Sequence, residues 1–151
     1  MAEIADLESV LRRIDHLPAL WRVLLSTPGT LQGTLAALFR TPVTVSLLGQ
    51  EVNGARFERS VELVRSDNGR AVCLARTEAE VELPEVHALL TAGSAGIGQI
   101  LRMRNIDATF DLHEVGGDTE AIERRYRLAG RGVRFEIVER FPRVEFDSHG
   151  F

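Results

Sequence analysis

Two ionisable residues stand on strand faces that are otherwise apolar. Read with a period of two, Val133, Phe135, Ile137, Glu139 and Phe141 point one way, and Arg134, Glu136, Val138 and Arg140 point the other. In an earlier stretch Phe57, Arg59, Val61 and Leu63 share a face opposite Arg56, Glu58, Ser60 and Glu62. A carboxylate flanked by Ile137 and Phe141 is costly to desolvate, so it needs a partner, a proton or a task. If both strands turn these faces to one interior, Arg59 can grip a ligand carboxylate and Glu139 can handle a proton. The structural alternative is a buried ion pair, which breaks about even against an apolar replacement.

The elements that must position this pair are legible in order. Ile4, Leu7, Val10, Leu11 and Ile14 recur at helical spacing, and Pro18 closes that first helix. Ala19 to Leu25 continues as a second helical piece. Pro28-Gly29 makes a turn, Thr30 is a candidate N-cap, and Leu31 to Phe39 forms a third helix stopped at Thr41-Pro42. Residues 1–40 are thus a helical lead-in. From Val43 the pattern alternates, with hairpin signals at Asn53-Gly54 and Asn68-Gly69 separating strands that start near Val43, Arg56 and Ala71. Leu83 to Leu90 reads as a short helix with Pro84 at its start, and a glycine-rich loop leads to another helical turn from Ile97. Three further strands follow, around Phe110, Tyr126 and Phe135. The expectation is a single α+β domain over 1–151: a six-stranded, mainly antiparallel sheet with helices covering one face around an internal ligand cavity.

Composition narrows the class. Apolar content of 44% and charged content of 26% are ordinary for a globular domain. A net charge of −4 gives no reason to expect a nucleic-acid partner. No apolar run is long enough to span a bilayer, and the acidic N-terminus is unlike a signal peptide, so no membrane partner is expected. The single cysteine, Cys73, excludes an internal disulfide and fits a reducing cytoplasm. The expected assembly is a monomer or small homo-oligomer.

Other chemistry-bearing groups are weaker. Gly93, Gly96 and Gly98 follow a helix rather than a strand, so they are not a dinucleotide fingerprint; a turn between helices is favoured over a flap. Ser94 lacks the flanking pattern of a nucleophile elbow. His16, His87, His113 and His149 are scattered, and Asp107, Asp111 and His113 on one strand read as a solvated face, so no metal is expected. The run Arg124-Arg125-Tyr126-Arg127 reads as a solvated strand edge, with an anion-facing edge as the alternative.

Taken together, the order Arg59-Ser-Val-Glu-Leu63, Leu74-Ala-Arg-Thr77, Gly96-Ile-Gly-Gln-Ile-Leu101, Arg125-Tyr-Arg-Leu-Ala-Gly130 and Glu139-Arg-Phe-Pro142 resembles the chorismate–pyruvate lyase family, over about residues 35–142. The resemblance implies a cofactor-independent carbon–oxygen lyase that eliminates pyruvate from chorismate to leave 4-hydroxybenzoate. It places Arg59 on the ring carboxylate, and Glu139 near the ring oxygen as a general acid whose burial raises its pKa. It makes Arg76 a second carboxylate contact or the lining of an access path, and sets Ile97 and Gly98 in a flap over the ligand. The chain departs from the family at Ala75, which replaces a glycine, at β-branched Ile97, around Arg124–Arg127, and in a longer first hairpin. Two alternatives therefore stand: an enzyme of secondary metabolism acting on another unsaturated acid (a cyclase, isomerase or dehydratase), or a non-catalytic small-molecule-binding domain.

Overall fold

A computed structural model of the chain describes residues 2–29 and 31–147. Its first element is a strand, β1 (Ala2–Ile4), followed by helices α1 (Leu7–Ile14), α2 (Ala19–Leu25) and α3 (Leu31–Phe39). A meander follows: β2 (Val43–Asn53), β3 (Arg56–Arg65) and β4 (Ala71–Val81). Helices α4 (Pro84–Ala92) and α5 (Ile97–Met103) then lead to β5 (Ala108–Gly117), β6 (Ala121–Gly130), β7 (Val133–Pro142) and a last helix, α6 (Arg143–Asp147). The N-cap expected at Thr30 and the histidine at position 149 lie outside the described residues.

The expected six-stranded, mainly antiparallel sheet is corrected to an open, mixed sheet of seven, in the order β1-β5-β6-β7-β4-β3-β2. The seventh strand, β1, pairs parallel with β5, Ala2 opposite Ala108 and Ile4 opposite Phe110. Ile4 had been assigned to the first helix because its spacing from Leu7 is helical. The helix instead starts after Asp6, whose extended backbone and side chain cap it by accepting a hydrogen bond from the Ser9 N–H at 3.1 Å. That leaves Ala2–Ile4 free to cover the outer edge of β5, a pairing that three residues are too few to announce by alternation. Leu7 and Leu11 accordingly stay exposed, and α1 buries Val10 and Ile14. Helix α6 was not anticipated either; it puts Phe146 against Trp21, Phe39 and Phe141.

One face of the sheet is buried and the other is wet. Phe57, Leu63, Val81, Phe110, Leu128 and Phe135 form part of one apolar cluster with the buried sides of α1 to α5. Glu58, Arg76, Glu78 and Arg125 project from the opposite face and are exposed. This sidedness follows from strict alternation on antiparallel strands with helices on one side only. Two contacts seat α4 over the hairpin of β2 and β3. His87 Nε2 lies 2.8 Å from the Gly54 carbonyl oxygen in the first hairpin turn, and Gln50 Nε2 donates to the Leu90 carbonyl at 3.0 Å. Gly98 lets α5 close down on the α2–α3 connection, because a Cβ there would run into the Gly29 carbonyl.

Candidate functional site

Ladder register places the two ions. Arg59 lies opposite Thr77, which lies opposite Ile137; Val61, Ala75 and Glu139 align in the adjacent inward-facing row. Arg59 and Glu139 therefore stand on the same face, two strand spacings and two residues apart, about 12 Å between Cα atoms. Both are buried, each with 5% of its surface exposed, and between them is a cavity of about 100 Å³. Val61, Ala75, Thr77 and Ile137 contribute to its sheet side, and Leu31, Gln32, Ile97 and Gly98 to its helical side. For scale, an apolar cavity of roughly 150 Å³ holds a benzene molecule. This chamber is smaller than that, room for a few waters or for part of a small ring.

At the Glu139 end the polar groups are paired. Arg124 lies directly opposite Glu139 in the β6–β7 ladder. Its Nε donates to Glu139 Oε1 at 2.6 Å, and Nη1 donates to the carbonyls of Leu25 and Thr27 at 2.8 and 2.9 Å. The Tyr126 hydroxyl donates to the other carboxylate oxygen at 2.8 Å. The Arg124 guanidinium also sits over the rings of Tyr126 and Phe110, 4.5 and 5.5 Å from their centroids. Burial is the largest influence on Arg124 and would lower its pKa, but the charge of Glu139, the neighbouring Tyr126 and the hydrogen bond to Glu139 together outweigh it and hold the group above its ordinary value. Burial, then the charge of Glu139, push the Tyr126 hydroxyl well above its ordinary range, so it stays a donor.

The Arg59 end differs. Nη2 donates to the Ala95 carbonyl at 2.7 Å and more loosely to the Gly93 carbonyl at 3.4 Å, which ties the α4–α5 connection to the sheet. Nε and Nη1 are buried and meet no acceptor among the described residues. Desolvation pulls the Arg59 pKa below its ordinary value with no carboxylate to oppose it. Buried N–H groups without acceptors each carry a desolvation penalty, and on a cation lining a cavity they describe a seat for an anion.

The structure thus gathers Arg59, Glu139, Ile97 and Gly98 around one cavity. It does not bring Arg76 there. Arg76 neighbours Thr77 in β4, and successive strand residues point to opposite faces; Thr77 faces the cavity, so Arg76 faces out. It lies one row from Glu58, Glu78 and Glu136, three carboxylates that sit directly opposite one another across β3, β4 and β7. Relieving that like-charge row is a sufficient role for it.

The glycine-rich loop is a turn between helices. Gly93, with φ of +82°, ends α4, and Gly96 precedes α5. Among the described residues no group of three or more His, Cys, Asp or Glu side chains could hold a metal. His113 sits instead near Asp111 and Glu136 at 4.0 and 3.6 Å, partly exposed.

Sequence reasoning missed Arg124 and Tyr126. The signal was present: Ile122, Arg124, Tyr126 and Leu128 alternate as Arg59 and Glu139 do with their neighbours, and all four are buried. Reading the basic run as a block hid its two-residue period. Gln99 and Arg102, exposed on α5 and lining the cavity, were also missed, since nothing in a seven-residue helix marks which flank meets a pocket.

No protein-family model matches the chain, and no curated protein matches it. No described helix is long and apolar enough to cross a membrane.

Proposed function

We propose that this cavity binds a small ring-bearing carboxylic acid with its carboxylate on Arg59, and that the chain acts on it as a chorismate lyase-type enzyme. The observation that carries the binding half is the buried Arg59 guanidinium at the edge of the cavity, its Nε and Nη1 unmatched among the described residues. Nη2 is already engaged by backbone carbonyls, so the ligand carboxylate is met by Nε or Nη1 rather than by a fully free fork. The chemical half rests on the motif order shared with the chorismate–pyruvate lyases and on the carboxylate at the chamber's other end.

In such a reaction the ring C–O bond to the enolpyruvyl group breaks and the adjacent ring carbon loses its hydrogen. The departing enolpyruvate takes up a proton to become pyruvate. Chorismate and the sum of 4-hydroxybenzoate and pyruvate have the same atoms, so nothing is oxidised or hydrolysed. The hydrogen bonds around Glu139 fit one part of this better than the other. Both of its oxygens already accept, from Arg124 and Tyr126, an arrangement that suits a carboxylate receiving a proton better than an acid giving one. A carboxylate has about four lone-pair sites, which leaves it capacity toward the cavity.

The same saturation favours a second reading, a ligand-binding domain without turnover. Incubation with chorismate, following 4-hydroxybenzoate by absorbance and pyruvate with lactate dehydrogenase, separates the two. The lyase reading expects both products, loss of binding in Arg59→Ala, and turnover reduced by roughly 10²-fold or more in Glu139→Gln. Tight binding of a ring carboxylate with neither product formed would overturn the lyase reading.

A further inference from the structure

Three buried side-chain atoms meet no partner among the described residues: Nε and Nη1 of Arg59, and Oε1 of Gln50. Their owners stand directly opposite one another in the β2–β3 ladder. The β6–β7 ladder supplies the comparison, because there Arg124 stands directly opposite Glu139 and the two pair at 2.6 Å. Glutamine has the length of glutamate, with NH2 in place of one oxygen. Its amide can accept from a guanidinium but cannot cancel the charge. Gln50 Nε2 is drawn instead to the Leu90 carbonyl, as Arg59 Nη2 is to those of Gly93 and Ala95. Thr77, opposite Arg59 in β4, is neutral too.

Backbone register decides that an amide stands here. Leu47 lies opposite Val61 and Gln50 opposite Arg59, while Leu48 has no partner in the ladder. Such a bulge exchanges the faces of the residues beyond it. In an unbroken register Gly49 would meet Arg59, and Glu51 would meet Phe57 on the inward face, within diagonal reach of Arg59. With the bulge, Glu51 turns outward and lands opposite Glu58, extending the row of carboxylates on the wet face. Like charges directly opposite are unfavourable, and so is a buried cation without a carboxylate. β2 thus carries two electrostatic penalties that a regular strand would avoid, and the only group that gains is an anion arriving at Arg59.

We infer that the β2 bulge and Gln50 together keep Arg59 without a counter-ion, so that Gln50 is a positioning residue that sets the preference of this seat for an anionic ligand over its neutral isostere. The inference rests on the reading of Arg59 as the carboxylate seat and adds what keeps that seat charged.

Benzoate and benzamide, alike in shape and different in charge, are the probes, with acetate and acetamide as the same contrast without the ring. Each is titrated into the full chain by calorimetry at pH 7. The native chain should favour the carboxylate of a pair by roughly 10–100-fold, and Arg59→Met should remove that preference. Gln50→Glu should remove it as well. Gln50→Met loses the same bond to Leu90 without adding a charge, so it should keep the preference, and it should unfold at a lower midpoint than Gln50→Glu, in which the new carboxylate pairs with Arg59. If Gln50→Glu retains the native preference, if Gln50→Met loses it, or if Gln50→Glu is the less stable of the two, the role of Gln50 is wrong while the seat stands. If neither pair shows a preference that Arg59→Met removes, the seat is wrong and the role of Gln50 falls with it.

Discussion

Arg59 and Arg124 occupy the same sheet face at opposite ends of one cavity, and they differ in a single respect. Arg124, 1% exposed, has a carboxylate, two backbone carbonyls and two aromatic faces around it. Arg59, 5% exposed, has carbonyls on one nitrogen and, among the described residues, no acceptor on the other two. Burial of a guanidinium is expensive in either place. At Arg124 the expense is offset within the fold, and the group joins the α2–α3 connection to the sheet. At Arg59 it is not offset, and a ligand is what would complete it. Two buried arginines of similar exposure thus differ in how far the fold satisfies them, and hydrogen-bond partners distinguish them where burial does not.

The contrast breaks most visibly in stability. Arg124→Ala strands Glu139 as a buried charge without its counter-ion and should cost about 3–5 kcal/mol in urea unfolding. Arg59→Met removes unmatched donors together with two carbonyl contacts, and should change stability by about 1 kcal/mol or less. Equal losses from the two would end the distinction. Binding should reverse the ranking. Arg59→Met is expected to weaken a ring carboxylate by roughly 10–100-fold, the range of a charge-assisted hydrogen bond, in a calorimetric titration.

Filling the space between the two arginines sharpens the point without touching a charge. Ala75 sits opposite both Val61 and Glu139 on the cavity floor. Ala75→Leu should abolish ligand binding while leaving the unfolding midpoint near that of the native chain, since the added atoms enter empty space. A native-like affinity in this variant would place the ligand elsewhere.

Alkaline titration probes the Arg124 end alone. Tyr126 and Cys73 both have pKa values raised well above their ordinary 10.0 and 9.0, burial being the first cause and the charge of Glu139 the second. A raised pKa means that the folded chain keeps protons which the unfolded chain releases. The contribution of these two groups is therefore flat below about pH 9 and is lost as pH climbs through the unfolded values toward the higher folded ones. Tyr126→Phe should flatten the part of this decline above pH 10, read as the unfolding midpoint at stepped pH. The smallest effect is reserved for the residue that the sequence misplaced. Arg76→Ala should leave ligand affinity unchanged and stability within about 0.5 kcal/mol.

Much of this was legible before any coordinates. Asn53-Gly54 and Asn68-Gly69 marked the meander, Pro18, Pro42 and Pro84 marked helix boundaries, and alternation put Arg59 and Glu139 on inward faces. These are local rules, acting over two to four residues, and they hold wherever the segment lies. The correction at Ile4 shows the limit. Its spacing fits a helix, but the unpaired edge of β5, more than 100 residues later in the chain, claims it as a strand. Arg76 failed for a different reason. Motif order assigned it to the ligand, while the two-residue period that correctly placed Thr77 required its neighbour to face outward.

By itself the sequence determined which side chains point inward from each strand, because alternation is a property of the extended backbone. It could not determine which inward groups meet. Glu139 was expected to face Arg59 across the chamber, yet register sets Arg124 directly beside it and leaves Arg59 without a counter-ion among the described residues. Strand order and register join residues far apart in the chain, and only the closed tertiary structure fixes those distances.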